Sequence, residues 1–154
     1  MLKSRMFVGA VASMLVLSAT VFAGDKVDLK DVKCVMNPKG AAKATSSAEY
    51  HGGTVYFCCD SCKAKFTKDP KKFAASANAQ LVATKQAKQV KCPLMGKPTK
   101  DDVSTKVAGV EVKFCCAGCK KKVEGKEGAE QVELVFGAKA FEKGFELAKK
   151  KDEK

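Results

Sequence analysis

The stretch Val55-Tyr-Phe-Cys-Cys-Asp-Ser-Cys-Lys-Ala-Lys-Phe66 constrains this chain more than any other. It returns almost intact as Val112-Lys-Phe-Cys-Cys-Ala-Gly-Cys-Lys-Lys-Lys-Val123. Each copy reads as a short apolar strand that delivers two adjacent cysteines, then a third, into the start of a basic helix. Thiols gathered at a strand-to-helix corner are how small proteins present sulfur to a soft metal ion. A single cysteine precedes each copy at a similar distance: Cys34 stands 24 positions before Cys58, and Cys92 stands 23 before Cys115. All 8 cysteines of the 154-residue chain therefore fall into two sets of four.

Zinc and copper(I) favour thiolates, and a thiol must lose its proton to bind them. Cys62 and Cys119 fall in the expected first helical turn, where the helix dipole favours negative charge. Lys63, Lys65, Lys120 and Lys122 add positive potential nearby. Cys58 and Cys62 are spaced C-x3-C, and Cys59 and Cys62 are spaced C-x2-C; Cys115, Cys116 and Cys119 repeat both spacings. With Cys34 or Cys92 arriving from an upstream loop, three sulfurs converge and a fourth ligand is open. The candidates are Cys59, Met36 or His51 in the first copy, and Cys116 or Met95 in the second. His51 aligns with Ala108 and reads as a turn residue, and core filling is the ordinary role of a methionine.

Two other chemistries use the same cysteines. Eight cysteines in a small exported protein can form four bridges. The neighbours Cys58-Cys59 and Cys115-Cys116 count against pairing within a doublet, because a vicinal bridge is strained, whereas a Cys34 to Cys58 bridge is feasible. Thiol-disulfide exchange through Cys59/Cys62 and Cys116/Cys119 lacks the βαβ setting of thioredoxin-like catalysts. Metal binding is favoured because the pattern is repeated. Attached haem is excluded, since lysine rather than histidine follows both Cys62 and Cys119.

The N-terminus sets the compartment. Lys3 and Arg5 precede an apolar run from Met6 to about Ala19, and Val21-Phe22-Ala23 closes it before the polar Gly24-Asp25-Lys26. This is the pattern of a cleaved secretory signal over residues 1–23, and the run is shorter than the roughly 20 apolar residues of a spanning helix. The expected mature protein starts near Gly24 and is periplasmic or secreted. The formal net charge of +12 falls to +10 without Lys3 and Arg5. Outside the cytoplasm such a charge points to anionic envelope surfaces or to solubility rather than to nucleic acid.

Along the chain, Cys34–Gly40 is turn-rich and Tyr50-His-Gly-Gly53 is a hairpin turn leading into a strand at Thr54–Phe57. The helix after Cys59 is expected to be capped by Asp60 or Ser61, with Phe66 inward. Asp69-Pro70 restarts a helix and Phe73 packs inward. Residues 74–89, rich in Ala, Gln, Lys and Asn, read as a connection, either flexible or a joining strand. In the second copy Val107–Phe114 is a hairpin turning near Ala108-Gly109. Gln131–Phe136 reads as an extra strand or buried segment. Ala138–Lys150 reads as one amphipathic helix with Phe141, Phe145 and Ala148 on one face. The domains expected are the signal at 1–23, a first cysteine module at 32–76, a connector at 77–89, and a second module at 90–148. Each half has a small core, of the size that usually needs metal or disulfides for stability.

The residues Cys34…Tyr50-His-Gly-Gly-Thr-Val-Tyr-Phe-Cys-Cys-Asp-Ser-Cys-Lys-Ala-Lys-Phe66…Asp69-Pro-Lys-Lys-Phe73 resemble the YHS/TRASH-like metal-binding module. Cys92-Pro-Leu-Met-Gly…Phe114-Cys-Cys-Ala-Gly-Cys119-Lys is similar but more divergent. The resemblance implies an α+β fold of two small zinc-ribbon-like or treble-clef-like modules in tandem, each a β-hairpin plus helix. It also implies heavy-metal sensing, trafficking or resistance, copper above all, with the ligands falling on Cys34, Cys58, Cys62 and on Cys92, Cys115, Cys119. Two departures stand out: the second copy lacks the Asp-Pro-x-x-Phe ending, and both carry an extra cysteine, Cys59 or Cys116. The functional expectation is a non-enzymatic carrier, buffer or sensor holding about one Zn2+ or Cu+ per module. A metal transporter or an anionic envelope surface would be its further partner.

Overall fold

The computed structural model describes residues 27–148; the expected signal segment and the lysine-rich tail lie outside the described residues. The element order shows the duplication directly. Strands β1 (Lys43–Tyr50) and β2 (Gly53–Phe57) form an antiparallel hairpin, followed by helix α1 (Asp60–Lys68). Strands β4 (Lys100–Val107) and β5 (Val110–Phe114) form the second hairpin, followed by α3 (Ala117–Glu124). Both turns are two residues long with positive φ at both positions: His51 at 50° and Gly52 at 80°, Ala108 at 51° and Gly109 at 82°. That is the type I′ geometry whose twist matches paired strands. Even the irregularity repeats, since the register slips between Lys43 and Ser47 and again between Lys100 and Ser104.

A two-stranded hairpin is marginal by itself, so each must bury one face. Val55 and Phe57 alternate inward from β2, where Phe66 of α1 meets Phe57 at 5.3 Å and Tyr50 at 5.5 Å between ring centres. Val110, Val112 and Phe114 do the same from β5, with Val123 in the place of Phe66. The expected cap of α1 is replaced by another device. Cys59 is the N-cap residue, and Asp60 instead accepts a 2.9 Å hydrogen bond from Ser46 on the bulged part of β1. The corresponding positions in the second hairpin are Val103 and Ala117. Asp69 and Pro70 do restart the chain as expected, in a 3₁₀ turn (Pro70–Phe73) capped by the Asp69 carboxylate on the Lys72 N–H.

The stretch that reads as a connection contains the central helix, α2 (Ala74–Ala83). Ala77 and Leu81 point into the first core, while Ala75 and Ala79 point into the second. Alanine has the highest helix propensity and the smallest useful side chain, so this composition makes a thin helix that two modules can approach closely. Helix α4 (Gly128–Phe136) packs against it, and Asn78 donates a buried hydrogen bond of 2.9 Å to the Phe136 carbonyl. Gln131–Phe136 is therefore helical rather than a strand, with Val135 and Phe136 buried and Glu133 exposed. Val132, Val135 and Phe136 share one helical face, and tertiary packing overrides their β preference.

The final helix, α5 (Ala138–Gly144), stops well short of Lys150. A Cβ on Gly144 would lie 2.8 Å from Pro93 Cα, so only glycine allows this approach. The Gly144 carbonyl accepts from the Val90 and Lys91 N–H groups, which draws the chain out of the helix. Phe145–Leu147 then forms β6, antiparallel to β3 (Ala87–Gln89). Phe141 and Phe145 still face inward, stacked at 5.3 Å. None of the described helices is long and apolar enough to cross a membrane.

Candidate metal centres

The thiols reach each corner from two directions. Cys34 comes from a loop closed by hydrogen bonds from its own N–H to the Gly40 carbonyl (2.8 Å) and from Gly40 N–H to Asn37 (2.9 Å). Cys58 ends the hairpin and Cys62 lies in the first turn of α1. The Cys34, Cys58 and Cys62 sulfurs all lie within 4.8 Å of one another, with Cys58 and Cys62 at 3.7 Å. Gly40 makes this possible, because a Cβ there would sit 3.1 Å from Cys58 Cβ and 3.3 Å from its sulfur. In the second module the Cys92 N–H donates to the Lys97 carbonyl at 2.8 Å, closing a loop one residue shorter. Cys92, Cys115 and Cys119 also converge within 4.8 Å, with Cys115 and Cys119 at 3.8 Å.

Thiolates about 2.3 Å from a tetrahedral zinc stand roughly 3.8 Å apart, so both triads have the dimensions such an ion requires. Among the described residues these are the two groups of histidine, cysteine and carboxylate side chains that converge in this way. The other sequence candidates fall outside them. Cys59 and Cys116 are exposed, 3.8 Å from Cys58 and 4.0 Å from Cys115 respectively. His51 sits in its turn with its ring 4.2 Å from Tyr50. Met36 packs against the first core in the position that Leu94 holds in the second, whereas Met95 is 56% exposed.

The charges of the six triad thiols are set by their surroundings. Burial pushes Cys34 up, but N–H groups of Cys58, Met36 and Asn37 turned toward its sulfur outweigh that and lower its pKa. Cys92 is lowered in the same balance by Cys115, Met95 and Leu94. Each triad thus has one sulfur favoured as thiolate by the backbone. Cys58 is raised, first by the Cys34 thiol beside it, and burial leads the rise at Cys115. Cys62 is pushed up to about 12 by burial and then by the thiols of Cys59 and Cys58; Cys119 is pushed up in the same way. Cys59 is lowered chiefly by the Cys62 N–H, and Cys116 by the Cys119 N–H, each at a helix N-terminus.

Three glutamines that the sequence reading passed over hold the corners in place. The Gln80 amide accepts from the Tyr56 N–H (2.6 Å) and donates to the carbonyls of Tyr56 (2.8 Å) and Lys33 (2.7 Å). It ties the residue before Cys34 to the strand that delivers Cys58. Gln89 does the same in the second module, accepting from Lys113 N–H (2.9 Å) and donating to the carbonyls of Lys113 (2.6 Å) and Lys91 (3.0 Å). Tyr56 and Lys113 are equivalent positions, as are Lys33 and Lys91. Gln86 adds a matching pair of bonds to Thr54. Such amides satisfy an edge strand as another strand would. They do not repeat in the sequence: Gln80 lies on α2 and Gln89 on β3, so alignment of the copies gives no sign of them.

Fold and thiol geometry define a pair of small cysteine modules, each able to hold one metal ion. Residues 36–77 match the family model of the YHS domain, a match that begins two residues past Cys34 and covers the first hairpin, α1 and the start of α2. The second cysteine cluster is consistent with a second module of this kind. No curated protein and no solved structure matches the chain.

Proposed function

We propose that this protein is an exported, non-enzymatic carrier or buffer of a soft metal ion, copper(I) or zinc. One ion binds to Cys34, Cys58 and Cys62, and another to Cys92, Cys115 and Cys119. The observation that carries this reading is the pair of three-thiol clusters at matching corners. Three sulfurs converging at one corner is the arrangement by which a single soft ion is held. Phe57 and Phe114, both fully buried, wall the inner side of each site from water. Export is supported by the signal pattern at the N-terminus, and the basic surface suits an anionic envelope or an acidic transporter as neighbour.

The test is isolation of the mature protein from its native compartment without added metal, followed by native mass spectrometry. The expected species starts near Gly24 and carries about two ions with all cysteines reduced. Metal-free protein with four disulfides would replace this reading with that of a stapled binding module.

A further inference from the structure

We propose that Cys59 and Cys116 are transfer ligands, through which a soft metal ion passes between the triads and a thiolate-bearing donor or acceptor. This rests on the metal-carrying reading above. Cys34 is 3% exposed and Cys92 is fully buried, so an ion still held by a donor cannot meet all three sulfurs of a triad at once; Cys58, Cys62 and Cys115 are half-buried, and only Cys59 and Cys116 stand fully outward. The approach lies on the open side of the corner, where Cys59 and Cys116 are exposed. Neither is an isolated thiol. Cys58 stands 3.8 Å from Cys59 and 3.7 Å from Cys62, so one sulfur belongs to both the outward pair and the inward triad. Cys115 occupies the same position between Cys116 at 4.0 Å and Cys119 at 3.8 Å.

Cys59 and Cys116 also stand apart from the packing. Neither lies in either core, and beside Cys116 the chain has Gly118, where an added Cβ would come within 3.8 Å of the Cys116 sulfur. Cys59 and Cys116 are the N-cap residues of α1 and α3, where the helix dipole favours an anionic thiol complex.

The exchange balances without redox chemistry. Cys59 forms a metal–sulfur bond as one donor sulfur leaves, and Cys58 then displaces a second donor sulfur. Cys62 and Cys34 bind next, and the bond to Cys59 breaks. The metal keeps its oxidation state; Cys59 gives up a proton on binding and takes one back when its bond breaks, and of the protons released by Cys58, Cys62 and Cys34 two go to the displaced donor thiolates and the third to solvent. The same sequence applies to Cys116, Cys115, Cys119 and Cys92.

The experiment presents Cd2+ as its glutathione complex to the reduced protein in a stopped-flow instrument, following the thiolate-to-cadmium absorption. A Cys59→Ser/Cys116→Ser variant should reach nearly the wild-type final absorption, but with a transfer rate lower by about tenfold or more, the mark of a contact made in the transition state. Cys59→Ala/Cys116→Ala should behave alike, and Cys59→Ser alone should slow only one of two phases. An unchanged rate would overturn the proposal. So would a loss of final occupancy equal to that of Cys62→Ser/Cys119→Ser, which would make the outer cysteines resident ligands. Wild-type protein that takes up no Cd2+ would overturn the metal reading itself.

Discussion

The two modules build the same thiol corner from different supports. In the first, a long aromatic side chain, Phe66, fills the space under the hairpin, and a helix supplies the amide clamp through Gln80. In the second, Val123 replaces that ring, the aromatics Phe136 and Phe145 come from later in the chain at 5.3 Å from each other, and strand β3 supplies the clamp through Gln89. What both copies retain are the hairpin, its I′ turn, its register slip and the positions of the cysteines. The thiol geometry is thus what the duplication holds constant, and the surroundings have been rebuilt around it.

The comparison can be broken at several strengths. Phe57→Ala and Phe114→Ala each remove a fully buried ring and should cost about 3–5 kcal/mol by chemical denaturation. If the modules share α2 as a common support, the two losses will appear in one transition; separate transitions would show independent units.

Metal binding should weaken as pH falls. Cys62, at about 12 in the metal-free site, is protonated at neutral pH and must release its proton to bind, and Cys119 is raised likewise. Each such thiol makes affinity fall by about tenfold per pH unit. Competition titrations at successive pH values should show this sign in both modules, and affinity that rises with acid would contradict it.

Gln80→Glu keeps the acceptor for Tyr56 but loses the donor to Lys33, and should weaken metal binding in the first module by about tenfold or more. Gln89→Glu should do so only in the second. Site-resolved affinities from each variant check the pair, and equal losses at both sites would refute local clamping. The smallest effect is that of Ser46→Ala, which should cost about 1 kcal/mol by leaving Asp60 without its partner. The reverse swap, Val103→Ser, gains no such partner at Ala117 and should be destabilising.

Much of this was legible in the residues. The cysteine spacing marks both corners and the resemblance to the YHS/TRASH-like module marks the triads, while His51-Gly52 and Ala108-Gly109 mark the turns, because local backbone geometry fixes them. Helix α2 was hidden by its own composition: alanine and glutamine look like a linker until two cores are placed against them. Val132, Val135 and Phe136 have strand preferences that packing against α2 overrides. The early end of α5 depends on Pro93, more than forty residues away, meeting Gly144. Gln80 and Gln89 were invisible for the same reason, since their partners are distant backbone groups with no sequence signature. The outward placement of Cys59 and Cys116 likewise follows from the helix start, which the motif leaves open.

The central claim, one ion per triad, is tested most directly by counting metal ions on wild-type protein, Cys62→Ser and Cys119→Ser in native mass spectra. The account predicts about two ions on wild-type and about one on each variant. Two ions retained by Cys62→Ser, or both lost from it at once, would contradict it.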